Sequence, residues 1–288
     1  VYSPYDTGND APMTIDIPGS GPWSPRNYDK QYRGRVSLTE ALAQSLNIPA
    51  VIVSESVGRD LVRRVANDFG LASDLAAGPA LALGASESTL VDMTGAYAGI
   101  LNGGSSVTPF GLVDLRLQGD QEPLMGTGGG IRERVIQDGA AAQLIWMMEK
   151  VVSQGTGQRA QFGGREIAGK TGTTQAARDA WFIGFTADYV AGVWMGYDDN
   201  TPLTGVTGGG LPAEIWRETM MRVHDGLPMR SLPMQAPAGA PQQQAPQPQP
   251  RERDVPRTTE GLIEKLLNDI LGGGPPSREN TNVSGSDR

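Results

Sequence analysis

Lys170 sits between Gly169 and Gly172 and is followed by Thr171, Thr173 and Thr174. A cation among small residues and hydroxyls suits the capture of an anion. The ammonium supplies charge, the threonines supply donors, and glycine allows a ligand or second backbone to come close. The plainer account of such a lysine is an edge-strand charge that discourages aggregation. The bracketing glycines and the threonine run favour a docking site. A second polar cluster, Ser45-Leu46-Asn47, falls at a helix end, where Ser and Asn either cap the backbone or project into a cleft. The rest of the inventory is narrow. There is no cysteine, so disulfides, zinc–thiolate sites and thiol nucleophiles are excluded. The single histidine, His224, is expected at the surface or the end of a late helix, which argues against a Ser-His-Asp triad or a multi-histidine metal site. Serine chemistry here needs a lysine or carboxylate base. The lysines are only four: Lys30, Lys150, Lys170 and Lys265.

The elements that must position these groups are legible as patterns. Arg165–Thr173, Ala180–Ala187 and Tyr189–Tyr197 are short runs rich in β-branched and aromatic residues with polar breaks, which predicts an antiparallel meander carrying Lys170 on its first strand. Upstream, Ser37-Leu-Thr-Glu40 is a capping box that starts a helix running to about Ser45, with Pro49 interrupting it. Helices are expected over Ala50–Val57, Asp60–Phe69 (Leu61, Val62, Val65, Ala66 and Phe69 inward), Ser86–Leu101, Asp138–Val152 and Leu211–Val223 (Ile215, Trp216, Thr219 and Met220 inward). Val107–Leu117 reads as a strand pair leading into the glycine-rich loop 126–130. The Pro-rich lead-in, 1–35, carries one short strand at Met13–Ile17 and is pinned by Trp23, Tyr28 and Tyr32.

The 288 residues bear a net charge of −8, so neither nucleic acid nor an anionic membrane surface is indicated as a partner. No apolar run approaches the roughly 18 residues of a membrane span. The chain opens on Val1 rather than on methionine, as a piece of a longer protein would. The expected organisation is a folded region over 1–229, a disordered Pro/Gln-rich linker over 230–258, and a tail over 259–288 with a short amphipathic helix at Thr259–Leu271.

Two motifs compete for Lys170. Gly164 to Thr171 fits the phosphate-loop pattern G-x-x-x-x-G-K-[ST], but that loop needs an apolar strand before it and a helix after it. Here polar, glycine-rich residues precede it and a strand pattern follows, so nucleotide binding is set aside. The alternative joins Lys170-Thr171-Gly172 to Ser45-Leu46-Asn47, the K-T-G and S-x-N triplets of penicillin-binding proteins and serine β-lactamases. With Trp23-Ser-Pro-Arg-Asn27-Tyr28 through Gly34, the Ser37 helix, Gly169 to Thr174, Asp179-Ala-Trp-Phe182 and Ile215-Trp216, residues 1–228 resemble the transpeptidase domain of class A penicillin-binding proteins.

That resemblance implies an α/β fold of the α+β type, β-lactamase/transpeptidase-like, with an antiparallel sheet packed on helices beside a mainly helical lobe and incomplete at the N-terminus. It implies a peptidoglycan D,D-transpeptidase that cleaves D-Ala-D-Ala by serine acylation, passes the acyl group to an amine, and is acylated by β-lactams. Ser45, Asn47 and Lys170 are then catalytic: Ser45 relays a proton, Asn47 holds the donor's amide, and Lys170 serves the donor carboxylate. Thr171, Gly172, Thr173 and Thr174 bind substrate. No cofactor or metal is implied. The partners are stem peptides and β-lactams, at the periplasmic face of the inner membrane, with membrane attachment through an N-terminal anchor. One departure stands out: no serine in this chain is followed three residues later by lysine. The family's nucleophile motif and a glycosyltransferase domain are therefore expected upstream of Val1, and the chain by itself is expected to be inactive. A D,D-carboxypeptidase or β-lactamase-type hydrolase, and a non-catalytic binding module, are the alternatives.

Overall fold

The computed structural model describes residues 2–126 and 128–238. The chain divides into two compact units, Val1–Ala240 and Pro241–Arg288, and all the described residues belong to the first. The helix expected at Thr259–Leu271 and the linker beyond residue 238 lie outside the described residues. In order, the elements begin with strands β1 (Thr7–Asp10), β2 (Ile15–Ile17), β3 (Gly21–Trp23) and β4 (Gly34–Ser37). Helices α1 (Leu38–Ala43), α2 (Asn47–Val57), α3 (Arg59–Asp68) and α4 (Leu90–Leu101) come next. Then come β5 (Ser105–Thr108), β6 (Asp114–Leu115), β7 (Met125–Gly126), β8 (Gly130–Arg134) and α5 (Asp138–Ser153). The chain continues through β9 (Ala168–Thr173), β10 (Asp179–Phe185), β11 (Val190–Gly196) and α6 (Leu211–Val223).

The meander is the centre of the fold. It is antiparallel in the order β11-β10-β9, with Lys170 opposite Ile183, Gly172 opposite Trp181, and Trp181 opposite Trp194. Strand alternation assigns its two faces. One carries Phe182, which packs edge-on against Trp216 of α6 with centroids 5.3 Å apart, in a cluster with Val152, Ala213 and Met220. The other carries Ala168 and Phe185, which meet Ile145 and Met148 of α5 and, more loosely, Tyr97 of α4. Burying a side chain such as Phe182 or Phe185 contributes about 1.5–3 kcal/mol. The same face continues through Lys170, Trp181 and Ile183, where α4 lies alongside β10 and β11 and a cleft opens between them.

Several expectations need correction. Pro49 does not end a helix; it lies in the first turn of α2, where no backbone N–H is required of it. The break falls one step earlier, at Gln44–Leu46, by a Schellman closure: Leu46 N–H bonds Ala41 O at 2.8 Å and Ser45 N–H bonds Leu42 O at 3.1 Å. The inward stripe of α6 is Ala213, Trp216 and Met220, while Ile215 is 40% exposed. On α3 no residue is fully buried, because Val62 and Ala66 border a cleft instead of a core. β5 pairs with β8 rather than within Val107–Leu117, and β6 pairs with β7. Tyr28 is 72% exposed and does not pin the lead-in; a buried polar pair, Asp10 and Asn27, does.

His224 is at a helix end as expected, but it is buried: its Nδ1 donates to Met220 O at 2.7 Å and its Nε2 lies 2.8 Å from Thr186 Oγ1. The packed chain also runs past residue 229. Arg165 donates to the carbonyls of Leu227 and Pro228, Glu166 accepts from Leu232 N–H at 2.7 Å, and Leu232 is buried among Ile145, Met148 and Phe185. This strap closes the space between α5 and the start of β9.

Candidate functional site

The local sequence explains where Lys170 points. Among the described residues β9 is an edge strand, paired only with β10. A Cβ on Gly169 would come within 2.9 Å of Ile183 O and of the Phe182 ring, so this glycine allows the sheet to pack. Across the strand, the loop at 207–210 closes on β9: Gly208 N–H donates to Thr173 Oγ1 at 3.0 Å. A Cβ on Gly208 would be 2.3 Å from Trp181 O and 2.4 Å from Gly172 O. Gly169 and Gly208 thus serve close backbone approach, whereas a Cβ on Gly172 would meet only the Trp181 side chain, at 3.3 Å.

Lys170 Nζ donates to Ser45 Oγ at 2.7 Å and to Thr171 O at 2.8 Å. The first of these bonds spans 125 residues and joins the sheet to the helical lobe. Burial pulls the Lys170 ammonium down from 10.5 to about 8, because desolvation penalises the charged form. Ser45 is held at φ 56°, the left-handed conformation that glycine usually takes at this position of a Schellman turn. A serine there carries strain, and what it gains is a hydroxyl aimed at Lys170.

All five residues from Lys170 to Thr174 line one cleft of about 880 Å³. Its opposite wall is apolar, with Val62, Leu71, Leu75, Leu81, Leu90 and Met93. Ser45 is not among the lining residues; it reaches the cleft only through its bond to Lys170. Asn47 is set back: its Nδ2 donates to Arg26 O at 2.7 Å and it is not among the lining residues. The hydroxyls differ in what they do. Thr171 Oγ1 lies 2.7 Å from Thr156 Oγ1, whereas Thr174 Oγ1 is engaged by Asp179, accepting its N–H at 2.8 Å. Sequence reasoning does not assign Asp179, Trp181 or Trp194 to the cleft, yet all three line it, and Trp194 Nε1 donates to Asp179 at 2.9 Å. The signal is present in the register, since Trp181 shares the Lys170 face of the sheet. The arrangement can bind an anion at a desolvated ammonium and can pass a proton between that ammonium and a serine hydroxyl.

A family model described as the penicillin binding protein transpeptidase domain matches residues 1–221. The chain is 35% identical over 221 residues to Penicillin-binding protein 1B of Haemophilus influenzae, covering 75% of this chain and 28% of that protein. It is 36% identical over 212 residues to Penicillin-binding protein 1B of Vibrio cholerae, covering 72% and 27%. Among solved structures, it is similar to the crystal structure of Penicillin-Binding Protein 1A from Haemophilus influenzae, with a TM-score of 0.72, 27% identity, and coverage of 80% of this chain and 40% of that one. The chain therefore spans little more than a quarter of the length of these curated relatives, 28% and 27%.

Proposed function

Because the chain belongs to the penicillin-binding protein transpeptidase family, we propose that it is the carboxylate-binding and proton-relay part of a peptidoglycan D,D-transpeptidase. The observation that carries this reading is the 2.7 Å bond from Lys170 to Ser45, set in a cleft also lined by Thr171, Gly172, Thr173 and Thr174. Lys170 and the hydroxyls of Thr171 and Thr173 hold the terminal carboxylate of a D-Ala-D-Ala stem peptide, a charge-assisted arrangement. The Thr173 backbone N–H supplies one donor to the tetrahedral oxyanion. Ser45 gives its hydroxyl proton to the departing amine nitrogen and takes one back from Lys170, which ends neutral until it is reprotonated. A lysine brought down to about 8 keeps its charge at neutral pH yet releases a proton at low cost. Asn47 orients the donor amide after turning from Arg26.

The nucleophile is not within these residues, since no serine is followed three positions on by lysine. It comes from a segment N-terminal to Val1 in the longer protein. β-Lactams, as mimics of the donor terminus, acylate the same serine. Among the described residues no helix is long and apolar enough to cross a membrane; attachment at the periplasmic face of the inner membrane is through the upstream region. The test is labelling with a fluorescent penicillin. The 288 residues alone should take no covalent label, the product of a gene extended upstream should be labelled, and Lys170→Ala in that product should abolish labelling. Label on the short chain, or full labelling of the Lys170→Ala protein, overturns the reading.

A further inference from the structure

Helix α2 starts immediately after the Ser45 turn, and its N-cap residue is Leu46, which offers no side-chain cap. Leu46 is committed elsewhere: it is buried with Val36 and Ala41 and closes the turn that holds Ser45. The orphan N–H of Asn47 is met from another part of the chain, by Asn27 Oδ1 at 2.8 Å. The Nδ2 of Asn27 donates to both oxygens of Asp10, at 2.8 and 2.9 Å, and to Gln31 O at 2.8 Å. Asp10 also accepts from Arg33 N–H at 2.9 Å. Asp10 is 0% exposed and Asn27 4%. The carboxamide can sit only this way round, because flipping it would press its oxygen against a carboxylate.

We propose that Asp10 and Asn27 are positioning residues for the Ser45–Asn47 corner, acting as an external N-cap on α2. The carboxylate polarises the Asn27 amide, and the strengthened carbonyl anchors the positive end of the helix. The anchor fixes Asn47 N–H, two residues from a strained serine whose hydroxyl must meet Lys170. Without it the left-handed turn has one fewer restraint and relaxes, as strained backbone does when it is not over-determined. Neither residue lines the cleft. Their catalytic consequence rests on Ser45 and Asn47 acting in the transpeptidase reaction, but the geometric claim does not.

The test uses the 288-residue protein and two readouts. Amide hydrogen exchange at Asn47 reports the cap. The change that Ser45→Ala produces in the Lys170 titration midpoint, followed by NMR of its ammonium group, reports Ser45–Lys170 coupling. Asn27→Ala should speed Asn47 exchange about tenfold, the worth of one such bond, and should at least halve that coupling. Asp10→Asn keeps the shape and removes the charge, and should act in the same direction more weakly. The double variant Asp10→Asn with Asn27→Asp exchanges donor and acceptor roles and should recover both readouts in part. Unchanged Asn47 exchange overturns the cap. Faster exchange with full coupling shows a role in stability alone and also overturns the proposal. If the cap is confirmed while penicillin labelling of the extended protein fails, the functional reading falls and the cap stands. Should Asn27→Ala not fold, Asp10→Asn alone decides.

Discussion

Ser45 offers a sharp test, because one residue carries both strain and chemistry. Its φ of 56° costs a side-chain-bearing residue about 1–2 kcal/mol relative to glycine in the folded chain. Glycine loses roughly 0.5–1 kcal/mol more backbone entropy on folding. Ser45→Ala and Ser45→Gly both remove the hydroxyl and its bond to Lys170, so that loss cancels between them. The remaining difference favours the glycine variant by about 0–1.5 kcal/mol, mid-range about 0.75, which for a folded unit of this size is roughly 1.5–3 °C in Tm at mid-range. At a right-handed position the order would be reversed, alanine being the better residue. The assay is thermal unfolding followed by circular dichroism on both variants and the parent, at one pH and salt concentration. If Ser45→Gly melts below Ser45→Ala, the turn is not left-handed in solution and the account of a hydroxyl held there by strain is wrong.

Other consequences are open to equally direct measurement. Lys170 has a folded-state pKa near 8 against 10.5 unfolded. Between those values the unfolded chain holds more protons, so the stability of the parent relative to Lys170→Met should rise from pH 8 to 10.5, by at most roughly 3 kcal/mol; urea midpoints that move in parallel across that range refute the burial. Leu232→Ala should cost about 2–5 kcal/mol, because the side chain fills a site between α5 and the sheet; a loss under half of that in urea unfolding would mean that the strap is not packed. Gly208→Ala must push the loop away from two backbone carbonyls, costing about 1–3 kcal/mol and speeding exchange of its own amide, which now bonds Thr173; near-parent exchange there would contradict the contact.

The strands of the meander and the helices α5 and α6 are legible because each has a single dominant period and clear breaks. The Ser37 cap is legible because the box is local, and Ser37 Oγ does accept Glu40 N–H at 3.1 Å. What escapes is non-local. Nothing in the residues around Ser45 says that a lysine 125 positions away will meet it; the pairing comes from family resemblance, and the coordinates supply the contact. The aromatics of the lead-in look like its anchors, yet a carboxylate and a carboxamide hold it through hydrogen bonds to one another and to backbone groups, which leave no hydrophobic signal. Leu232 stands alone in a Pro- and Gln-rich run, where no periodicity can mark a buried side chain. The place of His224 on its helix is readable, while its burial depends on Thr186 and Tyr189 arriving from the sheet.

The contact between the sheet and the helical lobe is tested most directly by the titration of Lys170 itself, read from its ammonium resonances by NMR. A midpoint near 8 that shifts when Ser45 becomes alanine is the expected result. A midpoint near 10.5, indifferent to Ser45, would place the ammonium in water and leave the cleft without its anion-binding group.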